Sequence, residues 1–160
     1  CSSDLRDLVV NSAARSGEGV EKFGGTLIGS LDELHMSLCS FWVINRQRDS
    51  LELLKKYMEV VPGELHVVRN NFYGDPQKFE LFNNSKTKVE AEKRGATIDF
   101  PDLADRVTDD LYSKRLSIVK ALETMPLGNR AELKRWRSLA WKAFEDIGVG
   151  VNNNTPEQKG

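Results

Sequence analysis

Two hydrophobic rhythms alternate along the chain, short apolar runs and stretches of helical spacing. Leu8-Val9-Val10, closed by Asn11 and a Ser-Ala-Ala-Arg-Ser-Gly loop, predicts a first strand. After Gly24-Gly25, the positions Leu27, Ile28, Leu31 and Leu34 recur as one helix face. Residues 38–45 predict the clearest strand, apolar on both faces, as in a strand covered by helices on two sides. Asp49 with Glu52 three residues on has the form of a capping box. The helix it opens carries the stripe Leu51, Leu54, Met58 and Val61, and Pro62-Gly63 stops it. Leu65 to Arg69 predicts a third strand, ending at Asn70-Asn71. Asp75-Pro76 then reads as a helix start, with Phe79, Phe82 and Val89 facing inward and Arg94-Gly95 at its end. Thr97 to Phe100 predicts a fourth strand, closed by Pro101. Two short helices follow, near 103–112 and 114–123. A last helix is expected from Asn129, with Glu132 completing a second capping box and Leu133, Trp136, Ala140, Ala143, Phe144 and Ile147 on its apolar side.

Strand and helix in turn, joined by links too long for hairpins, predict an α/β fold: a mainly parallel sheet flanked by helices in a Rossmann-like three-layer arrangement. One domain over 6–147 is expected. Residues 148–160 are Asn-, Pro- and Gln-rich and read as a flexible tail. Residues 1–5, Cys-Ser-Ser-Asp-Leu, look like the translated end of a sequencing adaptor and are set aside from the fold.

Composition narrows the functional classes only a little. A formal net charge of −1 over 160 residues demands neither nucleic acid nor a membrane surface. No apolar run is long enough to span a bilayer, so no membrane partner is expected. Two cysteines give neither a disulfide framework nor metal spacing. Cys39, inside the apolar run 38–44, reads as a small buried thiol in a reducing cytoplasm. His35 and His66 have no metal-ligand spacing around them, so no metal site is expected.

In a parallel sheet ligands bind beyond the carboxyl ends of the strands. That rule selects Asn11 with its loop, Asn45-Arg46, Asn70-Asn71 and Pro101-Asp102. The amide of Asn70 offers both a donor and an acceptor, matching a purine edge, and equally suits a turn. The small-residue loop containing Arg15 can bring backbone amides near a phosphate, or can be a plain strand-to-helix connection. Arg46 and Arg48 beside a helix start favour an anion, although Arg48 with Asp49 also suits a solvated surface pair. Arg130, Lys134, Arg135, Arg137 and Lys142 make the last helix basic, either as a solvated face or as a contact for DNA or a protein partner. Asp102, Asp105, Asp109 and Asp110 match no calcium loop and read as helix-start charges. No Gly-x-x-x-x-Gly-Lys-Ser/Thr, Gly-x-Gly-x-x-Gly or Gly-x-Ser-x-Gly occurs, so no catalytic residue is assigned.

The segments Phe41-Trp42-Val43-Ile44-Asn45, Val67-Val68-Arg69-Asn70-Asn71-Phe72-Tyr73-Gly74 and Ile98-Asp99-Phe100-Pro101-Asp102-Leu103 resemble the later half of ParA/MinD-type ATPases. The likeness is greatest to those of plasmid mobilisation, transfer or stability, and it covers roughly residues 6–147. It implies a truncated P-loop NTPase-like domain whose complete parent binds ATP and Mg2+, forms a homodimer and acts on plasmid DNA or a relaxase-type partner. It further implies Asn70, Pro101 and Asp102 around the base, and Asn11 and Arg15 near the phosphates. Asn11 stands where the family usually has an aspartate, and a neutral amide holds magnesium or its water less strongly than a carboxylate. Without a P-loop the 160 residues alone are expected to bind ATP weakly or not at all, and to be poorly soluble or self-associating. The rival class is a non-catalytic α/β interaction module that binds a DNA-processing partner through its basic last helix.

Overall fold

The computed structural model describes residues 8–11, 24–26, 28–31 and 33–148. Among them three strands, β1 (Cys39–Ile44), β2 (Glu64–Asn70) and β3 (Thr97–Phe100), form one parallel sheet in the order β1-β2-β3. Helix α1 (Arg48–Val60) joins β1 to β2. Between β2 and β3 come the 3-10 turns Asn71–Tyr73 and Pro76–Lys78 and helices α2 (Glu80–Asn83) and α3 (Lys86–Glu92). Helices α4 (Asp105–Ser113), α5 (Ile118–Thr124) and α6 (Leu127–Glu145) follow β3.

Alternation along the strands sends Trp42, Ile44, Leu65 and Val67 to one face. There they pack with Leu54 of α1, Phe79, Phe82 of α2 and Ala91 of α3. Each fully buried Val, Leu, Ile or Phe side chain in such a cluster contributes about 1.5–3 kcal/mol. The opposite face carries Phe41, His66, Val68, Ile98 and Phe100. Helix α6 covers part of it, with Phe144 edge-on to both Phe41 and Phe100 and Trp136 edge-on to Phe100. Val107, Ala121, Met125 and Leu133 make a second cluster among α4, α5 and α6. The fold is therefore α/β with helices on both faces of a parallel sheet.

Several local expectations are corrected. Leu8, Val9 and Val10 are exposed and form no strand, since three residues give too few ladder bonds to hold a strand by themselves. Residues 24–26, 28–31 and 33 are helical, but Leu34 lies in the following turn and is exposed; Leu27 is outside the described residues. Strand β1 is not covered on both faces: Cys39, Phe41 and Val43 are exposed, because among the described residues α6 covers only part of that face. Helix α1 begins at Arg48 with no side-chain cap, and the Asp49 carboxylate instead accepts from the N–H of Ser50. The helix expected from Asp75 is broken at Asn84-Ser85, where Ser85 Oγ accepts from the Lys88 N–H and starts α3. That break resets the helical phase, so Val89 is 57 % exposed and Ala91 is buried in its place.

Helix α6 starts at Leu127, two residues before Asn129. Asn129 then bridges instead of capping, donating to Asp110 and accepting from Arg106 Nε. No helix among the described residues is long and apolar enough to cross a membrane. The expected artefact at 1–5 and residues 149–160 of the expected tail lie outside the described residues.

Candidate functional site

Parallel pairing delivers three loops to one rim. Ile44 lies opposite Arg69 and Asn70 opposite Phe100, so Asn45-Arg46-Gln47, Asn71-Phe72-Tyr73 and Pro101-Asp102 all leave the sheet at the same end. At the first loop, Asn45 Oδ1 accepts from the Gln47 N–H at 2.8 Å, and the Asn45 N–H donates to Ser50 Oγ at 3.3 Å. This turn aims the N-terminus of α1 along the rim. Beside it opens a cleft of about 550 Å³ lined by Asn45, Arg46, Gln47, Tyr73, Lys78, Glu80 and Leu81. Two cations, one carboxylate, two amides and a phenol thus surround a space of ordinary ligand size.

The second loop is rigidly held. Asn70 Oδ1 accepts from the Phe72 N–H at 3.1 Å and the Gly74 N–H donates to the Asn71 carbonyl at 2.9 Å. Arg69 forks onto both oxygens of Asp99 at 2.7 and 2.8 Å and donates through Nη1 to Asn83 Oδ1, whose amide holds the Pro76 carbonyl. The guanidinium thereby ties β2, β3, α2 and the loop together.

Of the residues chosen from sequence, Asn70, Pro101 and Asp102 reach this rim, but none of them lines the cleft. Asn70 spends its side-chain oxygen on the turn. The Pro101 carbonyl accepts from Trp136 Nε1 at 2.9 Å. Asp102 is exposed and lies near enough to Arg135 to favour its charged form. Asn11 is exposed and follows no strand, so it does not arrive at a strand end; Arg15 lies outside the described residues. The cleft residues Gln47, Tyr73, Lys78, Glu80 and Leu81 were not selected from sequence. Tyr73 and Lys78 gave a signal only as an aromatic and a base in one loop.

Helix α6 presents its basic residues unevenly. Arg135 donates twice to Glu132, both at 2.7 Å; that hydrogen-bonded carboxylate pushes the guanidinium pKa up, with a smaller contribution from Asp102. Arg130 is half-buried, its Nε enclosed and without a partner among the described residues. Lys134 and Arg137 are exposed, and with exposed Trp141 they share one face.

Cys39, Glu64 and His66 come together although no sequence spacing links them, because the register places Cys39 opposite Glu64. Their ligand atoms lie within 4.8 Å of one another. His66 is 3 % exposed and stacked on Phe41. Its Nδ1 accepts from the Ala96 N–H at 3.0 Å, which leaves the proton on Nε2, 3.0 Å from Glu64 Oε1. A nitrogen carrying that proton has no lone pair for a metal, so the cluster works as a hydrogen-bonded clamp across β1, β2 and the segment before β3. Cys39 is exposed and not in the core. Partial burial pushes its thiol pKa up, with the Glu64 charge and hydrogen bond adding to the effect.

Against known proteins, 142 residues of this chain align with Protein MobD of Acidithiobacillus ferrooxidans at 54% identity. The chain is similar to Protein MobD. The match takes in 88% of this chain and 63% of MobD, so the chain spans less than two thirds of that relative's length. A MobD likeness of this extent in a 160-residue chain includes all three strands and their rim loops. No protein-family model and no solved structure matches the chain.

Proposed function

We propose that this protein acts in plasmid mobilisation and binds a nucleotide at the carboxyl rim of its sheet. The likeness to MobD supports the first half. The second rests on one observation, the cleft between the start of α1 and the Tyr73–Leu81 segment, with Arg46 and Lys78 on its wall. Those cations suit phosphate, and the amides of Asn45 and Gln47 suit a base or ribose. The resemblance to ParA/MinD-type ATPases makes ATP the nucleotide of choice, with homodimer formation and transfer of the signal to plasmid DNA or a relaxase-type partner in the complete protein. Glu80 is the acid lining the cleft, so Mg2+ enters as ATP–Mg2+ and not through a carboxylate pair. The residues fit binding; the sequence has no phosphate loop for hydrolysis.

Titration of the chain with a fluorescent ATP analogue and Mg2+ tests this. Arg46→Ala and Lys78→Ala are each expected to weaken binding roughly tenfold or more, the loss of one charge-assisted bond at about 1.5–3 kcal/mol. Saturable binding that ignores both substitutions overturns the reading. The Lys134, Arg137 and Trp141 face supports a second reading, a non-catalytic module for a DNA-processing partner. Absence of nucleotide binding together with DNA binding abolished by Lys134→Glu and Arg137→Glu would favour it.

A further inference from the structure

The loop after β2 spends two large aromatic side chains on solvent. Phe72 is 63 % and Tyr73 43 % exposed, and their rings stand edge to face with centroids 5.2 Å apart. Exposed aromatics on a mobile loop would carry little meaning, but this loop is fixed at both ends. The Asn70 cap and the Gly74-to-Asn71 bond hold the first turn. The bonds from the Lys78 N–H to Asp75 and from Asn83 to Pro76 hold the second. Gly74 has φ +118°, and a methyl group there would sit 2.8 Å from Lys78 Cδ. The lysine stem thus crosses Gly74, and Lys78 lines the same cleft as Tyr73, with Arg46 also on its wall.

Rigid aromatic faces flanked by spaced cations, with no apolar ring of residues around them, match the chemistry of an unpaired base stack and its phosphates. A protein hot spot of the same residues is generally enclosed by a rim that excludes water. Here the neighbours Gln47, Asp75, Gln77, Lys78 and Glu80 are exposed and polar, and the exposed apolar Leu81 on the same cleft does not by itself enclose the rings.

We propose that Phe72 and Tyr73 form a stacking platform for single-stranded nucleic acid, with Lys78 and Arg46 on its phosphates. Net charge is −1, so attraction is local and the strand is held as much by stacking as by charge. This goes beyond the mononucleotide reading of the cleft, and the two fail separately. An ATP analogue that does not bind leaves the platform standing, and an oligonucleotide that does not bind leaves the cleft standing.

The test is fluorescence anisotropy of the full chain with labelled oligo-dT and oligo-U of about 12 nucleotides, and with a duplex of equal length. At least one single strand is expected to bind, more tightly than the duplex. Phe72→Ala should weaken it about 5- to 100-fold, the range of one lost base stack. Lys78→Gln should weaken it and flatten the slope of log affinity against log salt by about 0.7. Phe72→Trp keeps a stacking face: it should retain affinity, and its emission should be quenched by the strand beyond that of the native tryptophans. No binding at about 50 mM salt overturns the proposal. So do a duplex bound equally well, an indifferent Phe72→Ala, or a Phe72→Trp chain that binds without added quenching.

Discussion

Arg94 shows how a single side chain can close a helix it does not belong to. From just beyond α3 its guanidinium donates to the carbonyls of Met58 at 3.2 Å and Val61, at the end of α1, and of Gly63 at 2.9 Å in the turn that follows. Sequence reading marked Arg94-Gly95 only as a helix end. Gly95 is required for a separate reason, since a methyl group there would run into the Leu65 carbonyl of β2. Arg94→Ala is expected to destabilise the fold by about 1.5–3 kcal/mol, and Arg94→Lys to recover less than half of that, because an ammonium cannot serve three carbonyls in a fork. Urea unfolding with an unchanged m-value measures it.

At the scale of elements, α6 is positioned by charge as well as by its apolar face. The Arg135 hydrogen bond holds the Glu132 carboxyl below its ordinary value of 4.5, aided by the Ala104 N–H and the charges of Arg135 and Arg106. Asp110 is likewise lowered, first by Lys114 and then by Asn129, which sits in the opening turn of α6. A depressed carboxyl pKa means the unfolded chain takes up the proton more readily. Stability from Glu132 is therefore complete above about 4.5 and is lost as pH falls through the depressed folded value. Glu132→Gln should be less stable than the parent at pH 7, and the gap should close on acidification. Denaturant unfolding at a series of pH values reads this directly. A gap constant with pH would assign the carboxylate no part in holding the helix.

Across the whole molecule, Trp136 links the cluster among α4, α5 and α6 to the sheet face that α6 covers. It packs against Leu133 and its neighbours, stands edge-on to Phe100 and donates to the Pro101 carbonyl where β3 ends. Trp136→Ala is expected to cost about 3–5 kcal/mol through the cavity it leaves. Trp136→Phe, which keeps an aromatic ring and loses the N–H, should cost nearer 1 kcal/mol. Comparing the two by chemical denaturation separates packing from the hydrogen bond.

The apolar pattern and its turn residues were enough to place β1, β2, β3 and α1 nearly to the residue, because an apolar run or a helical stripe bounded by Asn, Pro or Gly is written in the chain. It also pointed to the carboxyl rim, beside which the cleft opens. The wall of the cleft was not legible. Lys78 and Tyr73 face Arg46 only because β1 and β2 lie side by side and Gly74 turns the loop back. Leu8-Val9-Val10 misled for the same reason: local β-propensity cannot say whether a partner strand is there to bond with. The joining of Cys39 to Glu64 and His66, the turn of Glu132 from cap to clamp, and the exposure of Val89 were likewise settled only by tertiary structure. Register, helix phase and long-range hydrogen bonds are relations between distant segments, and no single segment carries them.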